Sequence, residues 1–339
     1  MNKIRYLRKN KSYKVVKRKD VNMSYILLII GFLILIKGAD VFVVGSSSIA
    51  KTLKVPTLII GLTIVAFGTS APEAAVSITA ALKGSNDMAI ANVVGSNIFN
   101  FLCVLGVVAI INPIKVQKST IIKEFPFAVL ATIVLSILSH DIKFQGYTQN
   151  ALTRADGLML LTLFGIFMYY LVEMAITSKE EMEIDQADES IPMSKSILMS
   201  ILGIIGIIVG GQFVVDSASN IALTWGMSEN LVGLTIVSIG TSLPEFVTSI
   251  VAARKGESDI AIGNVVGSNL FNILFVLGIS SFISNIQVHS IVFVDMMIMI
   301  IITILTYIFA GTKQRINKKE GILLVIMYIL YMTFIIIRK

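Results

Sequence analysis

Residues 61–106 recur as residues 233–278: a shift of 172 positions superposes the two stretches without a gap, with 31 of 46 residues identical. The match weakens upstream but continues, Gly38 falling on Gly210 and Ile49-Ala50 on Ile221-Ala222. A chain that repeats itself at this length is expected to fold as two like halves. Between polar interruptions we count ten apolar segments, at about 24–50, 56–82, 87–112, 121–139, 155–177, 194–223, 228–254, 259–284, 289–310 and 319–337. That is five per half. If each segment crosses a membrane, an odd number makes the second copy start from the opposite face, so the halves are antiparallel.

The bilayer is the expected solvent. Hydrophobic residues make up 55% of the chain and charged residues 14%, where a soluble domain carries roughly 25% charged residues. The apolar runs reach the roughly 20 residues that a spanning helix needs. They lack the alternation of barrel strands, so the segments are expected to be helical. The expected fold is therefore an all-α integral membrane protein of ten transmembrane helices arranged as two inverted five-helix repeats. Its expected parts are a basic tail at 1–23, a first repeat at 24–178, an acidic cytoplasmic linker at 179–193 and a second repeat at 194–339. The net charge of +7 does not indicate nucleic acid, because nine basic residues lie within the first 19 positions. The single cysteine, Cys103, excludes an internal disulfide, and two histidines, His140 and His289, exclude a Cys- or His-rich metal cluster. The linker lacks the glycine and oxygen-ligand spacing of a calcium loop and reads as a solvated connection.

Charge in the loops sets an orientation. Leaving the tail aside, loops after odd-numbered segments carry thirteen lysines and arginines and the opposite loops five. The richer side is expected to be cytoplasmic, with both termini outside. The tail conflicts with this unless translation starts at Met23, the preferred reading. A cleaved signal peptide is not expected, because the first apolar segment is too long and matches the sixth.

Glu73 and Glu245 lie inside apolar segments at equivalent positions. A carboxylate at bilayer depth costs several kcal/mol unless it is compensated, so it points to function. The alternative, a structural hydrogen bond, is weakened by the exact duplication. Antiparallel copies bring the two acids together, where like charges need a cation or protons between them. One divalent cation balances both. Pro72 and Pro244 lack an amide proton and break the helix, which is expected to free carbonyls near Ala66–Gly68 and Ser238–Gly240. Thr69, Ser70, Thr241 and Ser242 add hydroxyls, and Ser77 and Ser249 lie one turn beyond the glutamates.

The following segment supplies an opposing wall. Asn92, Ser96 and Asn100 are spaced by four and form one polar stripe, repeated at Asn264, Ser268 and Asn272. Packing between helices is the competing role for such a stripe. Carboxylates, carbonyls, hydroxyls and amides together suit calcium or sodium and not soft transition metals. Asp40 and Asp216 are not at equivalent positions and read as structural or vestibule residues, with Lys37 placed to pair with Asp40 one turn along. Asp295 falls near a segment end, and Cys103 reads as a packing residue.

The paired Gly-Thr-Ser-Ala-Pro-Glu and Gly-Thr-Ser-Leu-Pro-Glu segments, each followed by Gly-Ser-Asn-x-Phe-Asn, resemble the alpha repeats of sodium/calcium exchangers. The resemblance covers both repeats and, through the five-plus-five layout, nearly the whole chain after Met23. It implies calcium ligands at Glu73 and Glu245 with carbonyls of Thr69 and Thr241. It implies sodium ligands among Ala66, Ser77, Ser96, Ser238, Ser249 and Ser268, and a first and sixth segment that slide to switch access. Where potassium-dependent relatives carry aspartate this chain has Asn272, which removes one negative charge and argues against potassium co-transport.

The expected function is secondary active exchange of calcium for sodium by alternating access, with no cofactor beyond the transported ions. Short loops suggest a prokaryotic cell membrane. A calcium/proton antiporter using the same glutamates is the nearest alternative and a passive cation channel a more distant one. An enzyme is not expected, because no nucleophile–base pair appears.

Overall fold

The computed structural model describes residues 2–83, 87–146, 148–182, 191–227, 236 and 238–338. The longer helices are α1 (Asn2–Leu53), α2 (Ala71–Leu82), α3 (Asp87–Phe99), α4 (Glu124–Leu138), α5 (Arg154–Met182), α6 (Met193–Thr224), α7 (Leu243–Arg254), α8 (Ser258–Leu270), α9 (Ser290–Gly311) and α10 (Lys318–Ile337). Four two-residue strands tie the halves together. β1 (Ile114–Lys115) pairs antiparallel with β4 (Arg315–Ile316), and β2 (Ala151–Leu152) with β3 (Ile286–Gln287). Each pair takes one strand from either repeat.

Eight described helical runs are long and apolar enough to cross a membrane. A ninth arises if Thr57–Thr69 and Ala71–Leu82, which meet at 51°, are one bent span. The expected segment at 228–254 falls partly on residues 228–235 and 237, outside the described residues. The basic tail is continuous with the first span, since α1 runs back to Asn2 and no glycine or proline interrupts residues 2–23.

Burial separates core from rim. The most apolar stretch of Ser258–Ile283 is 94% buried and that of Ala89–Ile111 72%, against 17% for Arg154–Ser178 and Lys318–Ile337. The α3 and α8 runs are therefore central, and α5 and α10 turn isoleucines and leucines outward, as lipid-facing helices do. The central runs share a further feature. Each passes through a π-helical turn, Asn100–Val104 and Phe271–Val276, at equivalent places. Such turns widen the helix locally and recur at functional sites.

The first helices of the two repeats pack against each other along small residues. A Cβ at Gly210 would lie 2.5 Å from Leu35 N, one at Gly38 2.7 Å from Ile207 N, and one at Gly45 2.8 Å from Ser196 O. Contacts that rise along α1 fall along α6, so the two run antiparallel. Gly31, Gly38 and Gly45 are seven apart and share one face, which lets the backbones touch. Gly267 does the same for the site, admitting Ala66 to a place where its own Cβ would be 2.8 Å away.

The seam is testable. Gly210→Val should lower the thermal midpoint in detergent by an amount equivalent to about 1–3 kcal/mol of overpacking. Gly165→Ala on α5, where nothing lies within 4 Å of the added carbon, should leave it unchanged. Equal behaviour of the two variants would remove the steric argument.

Candidate ion site

Both glutamates stand where the chain breaks. Thr69 ends one short helix, Ser70 has φ −83° and ψ 7°, and α2 begins at Ala71 with Pro72 in its first turn. Ser242, at φ −93° and ψ 6°, precedes α7 with Pro244 in the same place. Proline is accepted in a first turn because no amide proton is needed there. Glu73 and Glu245 are thus first-turn residues, facing the positive end of their own helices. Both are fully buried.

Each glutamate is held by the other repeat. Ser70 Oγ donates to Glu245 Oε1 at 2.6 Å, and Ser242 Oγ donates to Glu73 Oε1 at 2.8 Å. Ser96 and Ser268 approach the same oxygens at 3.4 and 3.5 Å. The hydroxyls of Ser96 and Ser242 are 2.9 Å apart and join the two halves directly. Further out, Asn92 donates to Ser77 at 3.1 Å and Asn264 to Ser249 at 2.9 Å. The second oxygen of each carboxyl is different. Among the described residues Glu73 Oε2, Glu245 Oε2, Asn100 Oδ1 and Asn272 Oδ1 are buried and accept no hydrogen bond. An unsatisfied buried acceptor costs about 1–3 kcal/mol, more when charged. These four are hard oxygen acceptors of the kind suited to a positive species.

The family model described as sodium/calcium exchanger protein matches residues 23–173 and 195–337. The chain belongs to the sodium/calcium exchanger family. CaxA of Alkalimonas amylolytica is 39% identical over 321 residues, covering 91% of this chain and 97% of its own. The inner membrane protein YrbG of Escherichia coli is 34% identical over 306 residues, covering 87% of this chain and 90% of its own. Structures of the sodium-calcium exchanger NCX_Mj superpose well. One of them, soaked with 2.5 mM sodium and 0.1 mM strontium, has a TM-score of 0.79 at 32% identity, covering 92% of this chain and 99% of that one.

Within this exchanger-family fold, the expected residues gather unevenly. Glu73, Ser242, Ser96 and Asn272 are joined by hydrogen bonds and reach Asn100 through Asn97 and Asn269. Glu245, Ser70 and Ser268 form a second set that Ser249 joins through Asn264, and Ser77 accepts from Asn92. Thr69 is fully buried and turns its hydroxyl to Asn264 Oδ1 at 2.9 Å. Thr241 is half-buried beside the break. The side chain of Ser238 lies outside the described residues. The carbonyl of Ala66, expected to be freed, instead accepts from Ser70 N at 3.0 Å and from Thr69 Oγ1 at 3.3 Å. Pro72 lacks the amide that would bond the Gly68 carbonyl two residues further on, so the bond from Ser70 to Ala66 is untouched.

Two other acids find partners that the sequence did not assign. Asp40 pairs with Lys255 at 2.7 Å and not with Lys37, because the turn after α7 reaches α1 at that level. Asp295 is held by both guanidinium nitrogens of Arg338, at 3.0 and 2.8 Å. Sequence reasoning passed over Glu124, a fully buried acid that accepts a hydrogen bond from Tyr170. Its place inside an apolar run was the available signal, but the repeat has Met296 at the matching position, so symmetry gave no second mark.

Replacing a cross-repeat serine should weaken cation binding. Ser242→Ala removes one charge-assisted hydrogen bond, expected to reduce calcium-dependent thermal stabilisation by roughly tenfold in apparent affinity. Ser46→Ala, a buried hydroxyl with no described partner, serves as the control. An unchanged calcium response in Ser242→Ala would separate the serine from the ion.

Proposed function

We propose that this protein exchanges calcium for sodium across a cell membrane, binding both in turn at the site between Glu73 and Glu245. One observation carries the reading: two fully buried carboxyls from equivalent positions each keep an oxygen that accepts no hydrogen bond from the described residues. Calcium neutralises two carboxylates completely, and its preference for six to eight oxygens is met by a ring of serines, threonines and asparagines. Sodium accepts the same hard ligands. The two loads exclude each other because both need the glutamates. The proposed ligand set is Glu73, Glu245, Thr69, Thr241, Ser70, Ser242, Ala66, Ser238, Ser77, Ser249, Ser96, Ser268, Asn100 and Asn272.

The proposed architecture is the ten-helix inverted repeat. The antiparallel α1–α6 seam, the strand pairs shared between halves and the cross-repeat serines support it, and the bent Thr57–Leu82 span and α7 are its second and seventh helices. Alternating access follows from symmetry: two inverted halves around one site present it to either face by exchanging conformations. Exchange is coupled because an empty site carries two bare charges, which disfavour crossing a low-dielectric barrier. The relatives add substrate chemistry. One is named a sodium/calcium exchanger, MaX1 of Methanosarcina acetivorans, 29% identical over 92% of this chain. The NCX_Mj structures were soaked with sodium, calcium or strontium.

A second reading shares every residue. Two buried carboxyl oxygens without partners are also ready to take protons, which makes calcium/proton antiport the competing reaction. Radioactive calcium uptake into proteoliposomes separates the two. An outward sodium gradient should drive uptake at constant pH, whereas an outward proton gradient without sodium should not. The reverse result would rename the counter-ion and keep the site. Glu73→Gln and Glu245→Gln should each abolish calcium uptake, a loss of more than about a hundredfold for a buried charged ligand, while the protein stays monodisperse. Retained flux in either variant would sink the site.

A further inference from the structure

Asn97 and Asn269 follow Ser96 and Ser268 in the two repeats, are almost wholly buried, and face one another across the halves. Asn97 Nδ2 donates to the Asn269 carbonyl at 3.2 Å, and Asn269 Nδ2 donates to the Asn97 carbonyl at 3.3 Å. A backbone carbonyl only accepts, so these contacts decide which end of each carboxamide is nitrogen. The other end of each must then be oxygen. Asn97 Oδ1 accepts from Asn272 Nδ2 at 3.3 Å, and Asn269 Oδ1 accepts from Asn100 Nδ2 at 3.0 Å. That in turn settles the outer pair. With their nitrogens engaged, Asn100 and Asn272 are left with Oδ1 as the free, buried end.

We infer that Asn97 and Asn269 are positioning residues that hold Asn100 and Asn272 with carbonyl oxygen, not amide nitrogen, toward the cation. The inference rests on the ion-site reading above. A carboxamide turned over would present two donors to a positive charge, so orientation decides whether the residue is a ligand or a repellent. The two sides are not equal. Asn272 Nδ2 has a second acceptor in Ser96 Oγ at 3.3 Å, while Asn269 Oδ1 is the one described acceptor for Asn100 Nδ2. Losing Asn269 therefore frees Asn100 altogether, whereas losing Asn97 leaves Asn272 with one tether.

The test is calcium affinity, read by calcium-dependent thermal stabilisation of the full-length protein, alongside calcium uptake in proteoliposomes. Asn269→Leu should weaken apparent calcium affinity about tenfold and Asn97→Leu about threefold, as one or part of one ligand orientation is lost. The deciding measurement is made in an Asn100→Asp background, where the side chain has oxygen at both ends and no wrong orientation. There the penalty of Asn269→Leu should vanish or reverse, because Asn269 Oδ1 then faces a carboxylate oxygen that cannot donate, while a purely packing role keeps the same penalty in both backgrounds. If Asn269→Leu is not recovered monodisperse, Asn269→Ser, too short to reach Asn100, is read in the same way. A persistent penalty, or no penalty in the native background, overturns the inference alone. A wild-type protein that neither binds nor moves calcium overturns the site reading and this inference with it.

Discussion

Two carboxylates enclosed in a low-dielectric bundle repel each other unless positive charge lies between them, and the rest of the molecule is organised around that repulsion. Glu73 and Glu245 are brought together by the meeting of two helix breaks. Each break places its glutamate at a helix N-terminus, where the dipole offsets part of the charge. Each then receives a hydroxyl from the opposite repeat, so neither half completes its own acid. This makes the site a property of the interface between repeats. The glycine seam of α1 and α6 and the close approach of Ala66 to Gly267 serve the same end by letting backbones come near enough for short side chains to reach across.

Symmetry is closest at this centre and relaxes away from it. The serine–glutamate and asparagine–asparagine contacts occur as matched pairs, differing by a few tenths of an ångström. Toward the ends the halves diverge. Asp40 on α1 meets Lys255, and Ser47 donates to Glu257 at 2.6 Å, but the matching positions on the other side are Gln212, Lys83, Ser219 and Ser85. Glu124 faces Tyr170 where the second repeat has Met296. In the proposed exchange cycle one site serves two faces, which favours symmetry there. The ends meet different compartments and are under no such constraint.

The sequence by itself determined a good deal. Apolar runs with no charge to interrupt them dictate helices in lipid, because no other open backbone is satisfied there. The duplicated Thr-Ser-x-Pro-Glu and Asn-x-x-Gly-Ser-Asn segments marked the central helices, the breaks and both glutamates, since proline sterics and a buried acid act locally and leave a local signature. Family membership was legible on the same residues.

Only the tertiary structure decided who touches whom. That Ser70 serves Glu245 and not its near neighbour Glu73, that Asp40 reaches Lys255 past Lys37, and that Asn272 donates to Asn97 are facts about residues 175 to 215 positions apart that periodicity cannot rank. The difference has one physical cause. Helix formation and breaking are set by the next few residues, whereas the direction of a buried hydrogen bond is set by whichever partner the packing of two repeats brings within 3.5 Å.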